Sequence, residues 1–138
     1  MGKRKKKTKQ QTKHFGCSQC WEGSATAAWH QSLRLQRARM LIDQSHFSVE
    51  IKTCRQCKQQ FLLIYTEMIV WDGGEDTQES TIIPLTDAEA TAFAKPGADV
   101  HALVGQLPKS RKSLRNWSPA AEGSGVIWGL GADIGMHD

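Results

Sequence analysis

No apolar run in the sequence approaches the roughly 18 residues that a membrane-spanning helix needs. The charged start is not followed by an apolar stretch, so a secretory signal is not expected. The expectation is therefore a reducing, cytoplasmic setting (nuclear or nucleoid-associated included), with no membrane partner. Apolar residues make up 39% and aromatic residues 7% of the 138, which is lean for a globule and implies that part of the chain stays outside any core. So small a core calls for a staple, either a metal or disulfides. Also missing is any serine, cysteine or histidine arrangement of the nucleophile–base kind. Gly129-Leu130-Gly131 has no Lys-Ser/Thr after it, so it is not a phosphate-cradling loop. These absences lead to the expectation of a non-enzymatic protein without a small-molecule substrate.

Acidic residues are absent from residues 1–13, where Lys3, Arg4, Lys5, Lys6, Lys7, Lys9 and Lys13 supply seven positive charges. The remaining 125 residues hold 11 basic and 14 acidic groups, a net of −3 under an overall +4. Residues 66–99 carry eight acids against Lys95 alone. This polarity reads as a disordered basic arm at 1–13 attached to a mildly acidic body.

The four cysteines all fall in close pairs, Cys17 with Cys20 and Cys54 with Cys57, separated by a spacer of 33 residues. Two residues between cysteines let one tight turn aim both sulfurs at a single ion while backbone N–H groups face the thiolates. The motifs GCSQCW and TCRQCKQQF resemble a zinc ribbon, the class in which two such knuckles clamp one structural zinc beside a small antiparallel sheet. The resemblance covers about residues 14–85 and implies Zn2+ held by Cys17, Cys20, Cys54 and Cys57. Rubredoxin-like Fe would use the same ligands, and a redox dithiol is a further alternative. Trp21 and Lys58 stand directly after the knuckles, where many ribbons place a glycine soon after. His14 and His46 lie near the knuckles, but four thiolates already fill a tetrahedron.

Along the body, Ser24 can cap a helix running to about Asp43, with Trp29, Leu33, Arg37 and Met40 near helical spacing. A strand over 32–42 is the rival reading, because Leu33 and Leu35 alternate with polar neighbours. Strands are expected at 46–53, from the alternation of Phe47, Val49 and Ile51, and at 59–71 as the central strand. The stretch 72–80 reads as a turn whose acids, Asp72, Glu75, Asp76 and Glu79, do not match a calcium loop. Residues 81–85 read as a returning edge strand, because Pro84 cannot donate to a ladder. Thr86 and Glu89 form a capping box for a short helix ending before Lys95-Pro96-Gly97, and Asp99 caps another. The expected fold is α+β: a small antiparallel zinc-ribbon-like sheet with one to three short helices, a disordered basic N-terminal arm and a Gly-rich C-terminal tail. Its ordered domain spans 14–107, with an insertion at 24–44 and a helical extension at 86–107; residues 108–138 form a basic patch and the tail.

Lys109, Arg111, Lys112 and Arg115 make up that second basic patch, with Trp117 beside it as a stacking candidate. Together with the arm they point to RNA or DNA, bound through phosphate contacts and counterion release. The competing expectation is a protein-interaction module that docks through the acidic region at 66–99.

Overall fold

The computed structural model describes residues 14–69, 76–118, 125–135 and 137. Within them a six-stranded antiparallel sheet runs in sequence order. Its strands are β1 (Gln36–Gln44), β2 (Phe47–Thr53), β3 (Gln60–Met68), β4 (Thr77–Leu85), β5 (Lys112–Ser118) and β6 (Val126–Leu130). Three short helices accompany it: α1 (Ala25–Ser32) before the sheet, and α2 (Asp87–Ala94) and α3 (Val100–Gln106) between β4 and β5. The architecture is α+β, as expected, but the sheet is larger than the small ribbon sheet foreseen.

The extra strands come from stretches whose sequence hid them. Residues 24–44, expected as an insertion, supply α1 and the edge strand β1, which pairs with β2 from Gln36↔Thr53 to Gln44↔Phe47. Both readings of this stretch were half right. Ser24 does cap a helix, its Oγ accepting from the Ala27 N–H at 3.1 Å, but the helix stops at Ser32 rather than near Asp43. Leu33, which belonged to the proposed helical stripe, is 64% exposed, so no apolar face continues there to carry the helix on. The chain turns and gains the β2 ladder instead.

The Gly-rich stretch near the C-terminus forms β6 only by pairing with β5, from Lys112↔Leu130 to Asn116↔Val126. Strand β4 is longer than foreseen and internal, between β3 and β5, which corrects its assignment as an edge. The rule about proline still operates. The β5 ladder covers Gln78 to Ile82 and stops before Pro84. The Pro84 carbonyl accepts instead from Arg111 Nη1 at 3.0 Å, so the missing N–H faces the side where pairing has ended.

Side chains alternate across a strand, and the buried residues sort into two clusters accordingly. Leu62, Ile64, Ile83 and Leu85 pack with Val49 and Ile51 of β2 and with Ala90, Phe93, Val104 and Leu107 from α2, α3 and the residue after it. Their neighbours Phe61, Ile82 and Leu114 pack with Cys20, Trp21, Ala28 and Cys54. The sheet is therefore buried on both faces: α2 and α3 cover one, and α1 with the cysteine-bearing loops covers the other. Helix α2 carries the complete capping box, Thr86 Oγ1 accepting from the Glu89 N–H at 3.1 Å and Glu89 Oε1 from the Thr86 N–H at 2.8 Å. No helix among the described residues is long and apolar enough to cross a membrane.

Candidate metal centre

The second cysteine pair sits in the β2–β3 connection. The Lys58 N–H donates to the Cys54 carbonyl at 3.0 Å, and the Cys54 N–H to the Gln59 carbonyl at 2.9 Å, closing the turn. Lys58 has φ +67°, the one positive value for a non-glycine among the described residues. The knuckle thus demands a left-handed residue at the place where the sequence offers lysine rather than glycine.

The first pair is built differently. The Cys20 and Trp21 N–H groups both donate to the Cys17 carbonyl, at 3.1 and 3.0 Å. Gly16 carries the left-handed φ of +74°, and a Cβ there would stand 2.6 Å from Trp21 Cβ. Only glycine fits that position.

Gln59 ties the two turns together. Its Oε1 accepts from the Gly16 N–H at 3.1 Å, and its Nε2 donates to the carbonyls of Gln60 and Leu85 at 2.8 and 2.7 Å. Trp21 anchors the first turn to the sheet, 5.2 Å from Phe61 and edge-on to Trp128 at 4.9 Å between ring centroids. Trp128 Nε1 in turn donates to the Gly23 carbonyl at 3.3 Å.

These contacts bring all four sulfurs within 4.8 Å of one another. A tetrahedral ion with thiolate bonds of about 2.3 Å sets its sulfurs about 3.8 Å apart. The pairs Cys17–Cys20, Cys17–Cys54 and Cys20–Cys57 stand at 3.8, 3.9 and 3.8 Å. Backbone N–H groups of Cys17, Gln19 and Gln56 point at Cys20, Cys17 and Cys54 sulfurs from 3.3 to 3.4 Å, the donors a thiolate cage needs. Cys20 and Cys54 are buried, Cys17 is half-buried and Cys57 is exposed.

The electrostatics explain why such a cage calls for a cation. Burial pushes the Cys20 thiol far up, and burial also raises Cys57. Burial works the same way on Cys54, but N–H groups of Cys57 and Gln56 and the thiols of Cys20 and Cys57 outweigh it and bring this thiol down to about 7. One thiol thus ionises readily while burial holds the protons on Cys20 and Cys57. A divalent ion removes that conflict and makes all four ionise together. The cluster is compatible with a structural metal site.

The other candidate ligands lie elsewhere. His46 Nδ1 faces Glu67 Oε1 at 3.2 Å, and His14 is exposed on a neighbouring groove. Of the acidic turn, Asp72 and Glu75 lie outside the described residues, and Glu79 pairs with Arg115 at 3.3 Å.

The basic residues are less uniform than their spacing suggested. Lys3 to Lys13 lie outside the described residues. Arg111 makes a bidentate pair with Glu89, at 2.6 and 3.1 Å, and its guanidinium carbon lies 4.8 Å from the Phe15 ring centroid. Arg115 is committed to Glu79. Lys112 Nζ rests 3.8 Å above the Trp128 ring, and Lys109 Nζ reaches the Gly105 carbonyl at 3.4 Å. Trp117 stands opposite Glu79, the partner of Arg115, and so lies at the Arg115 end of this patch, five residues along β5 from Lys112 or about 16 Å at strand rise. Phe15 and Trp128 lie at its other end, against Arg111 and Lys112. Sequence reasoning missed both, as well as Gln59, because only strand order and knuckle position bring them together. No family model, curated protein or solved structure matched the chain.

Proposed function

We propose that the protein is a non-enzymatic nucleic-acid-binding module whose fold is closed by a structural zinc. Zinc suits the cage because it has no angular preference of its own and accepts four thiolates at these separations. Four protein ligands leave no open position for water or substrate, so the centre stabilises rather than catalyses. The nucleic-acid reading is supported by one convergence. The basic arm joins the body at His14 and Phe15, and Phe15 lies against Arg111 of the second basic segment, nearly a hundred residues on. The fold thus sets the residues at the root of a seven-charge arm in one groove with Lys112, which has no acidic partner among the described residues.

The rival reading, docking through the acidic region, gains no such support. Three of its acids, Glu67, Glu79 and Glu89, face His46, Arg115 and Arg111 of the same chain. Two measurements test the proposal. Metal analysis of protein made without added metal should find one zinc per chain; a red, iron-loaded sample would overturn zinc. Single-strand binding should weaken with salt, with a log–log slope near about −5 if all seven arm charges engage. Deleting residues 1–13 should abolish most of that slope, and unchanged retention at physiological salt would overturn the arm's role.

A further inference from the structure

Beside the arm root opens a groove of about 690 Å³ whose lining includes Phe15, Trp21, Pro108, Ser110, Arg111 and Lys112. It borders the first knuckle on both sides, through His14 and Phe15 before it and Trp21, Glu22 and Gly23 after it. Its pairing of rings with cations separates it from the other hollows among the described residues. Its apolar part is aromatic, and two rings in or beside it are already matched to cations: Arg111 against Phe15 at 4.8 Å and Lys112 over Trp128 at 3.8 Å. Its lining also holds two full cations against a single carboxylate, that of Glu22, and it includes His14, the first described residue after the arm. An aromatic bed with cations at its rim is the arrangement that takes the flat face of a nucleobase and the phosphate attached to it.

From this geometry we propose that the groove receives an unstacked base of a single-stranded nucleic acid, whose phosphate meets Lys112 at the rim. The inference rests on the nucleic-acid reading above and adds to it. The arm alone is indifferent to bases, whereas the groove makes binding depend on them and disfavours intact duplex, whose bases are stacked away. Volume supports the assignment, since the space is within the range that small planar ligands occupy, about 300–1,000 Å³. Lys112 supplies the contact that orients the strand: it is exposed and lies on its ring without an acidic partner among the described residues. Arg111 is held by Glu89 and acts chiefly by fixing Phe15.

The test uses the full chain with its metal and three short probes of equal length: oligo(dT), oligo(U) and an abasic deoxyribose-phosphate strand. The base-bearing strands should bind roughly 5- to 150-fold more tightly than the abasic one, the worth of one stacked base. Preference between dT and U then assigns DNA or RNA as the natural source. Ser110→Trp, at an exposed position on the groove wall, should erase the difference between base-bearing and abasic strands while leaving the salt slope in place. Lys112→Ala should reduce the difference, and Phe15→Leu should do so with the apolar packing kept. Equal binding of all three probes, or an unchanged difference in Ser110→Trp, overturns the groove but leaves the arm standing. No binding of any probe at low salt overturns both.

Discussion

The two faces of the sheet are lined by different kinds of residue. Under α2 and α3 lies an apolar core of ordinary kind, with Phe47, Val49, Leu62, Ile83, Phe93 and Val104 all nearly or fully buried. Its strength comes from area removed from water and from close packing. On the opposite face the buried set is smaller, and two of its members, Cys20 and Cys54, are cysteines of the cage. Here α1 is only eight residues long and the covering segments are loops, which bury little apolar surface on their own. A metal would supply what packing does not. With an ion in the cage, the chain would divide its stability between hydrophobic burial on one face and coordination on the other, joined at Arg111, which faces Glu89 of α2 and Phe15 of the knuckle side.

The largest expected break in this comparison is removal of the metal. Cys54→Ser, or a strong chelator, should cost several kcal/mol, a large part of the roughly 5–15 kcal/mol that a domain has. Thermal melting with and without chelator checks this, and an unchanged midpoint would show that coordination does not hold the knuckle face. Next in size is Phe93→Ala on the other face, expected to cost about 3–5 kcal/mol in denaturant titration. In the cobalt-substituted protein the visible thiolate spectrum should stay as it was, because the cage lies across the sheet.

Glu89→Gln probes the joint between the faces. Burial raises the Glu89 carboxyl, but hydrogen bonds from Arg111 and Thr86 outweigh it and hold it below the usual carboxylate range. A depressed folded value means stabilisation present above the unfolded value of about 4.3 and lost as pH falls through the folded one. The substitution should therefore cost about 1–2 kcal/mol at neutral pH, between the surface and buried limits. The two stability curves should converge as pH drops below 4; parallel curves would show that the pair contributes nothing linked to protons. The smallest effect is Lys58→Gly. Relief of the left-handed backbone, offset by glycine's freedom in the unfolded chain, should stabilise by under about 1 kcal/mol. A shift confined to the metal-loaded form would place that strain in the knuckle alone.

Much of the local structure was legible. The capping box at Thr86 and Glu89, the alternation in β2 and the cysteine spacing all act within a few residues, so they survive in the linear order. What stayed hidden depended on distant partners. Strand β1 is mostly exposed over Gln36 to Arg39 and shows no alternation there, while the alanines before it favour a helix that outruns its apolar face. Strand β6, with a glycine among five residues, has no claim to be a strand until β5 lies beside it. Trp117 is the ring the linear order offers the basic patch, and the extended strand keeps it at the Arg115 end, while Phe15 and Trp128 meet Arg111 and Lys112 only through the fold.

By itself the sequence determined which atoms can coordinate: two pairs of thiols, each held by a tight turn whose geometry is local. It also determined where charge concentrates, since seven cations without an acid cannot cancel among themselves. Only the tertiary structure decided that the two pairs meet, through Gln59 bridging the turns and the sheet placing Trp21 against Phe61 and Trp128. It alone decided which cations of the second patch are spent, because ion pairing depends on the register that sets Arg115 beside Glu79 and on the docking of α2 that brings Glu89 to Arg111. The physical reason is range: turns and caps are settled within a few bonds of their residues, whereas a cage, a groove and an ion pair across elements exist only once loop-closure entropy has been overcome.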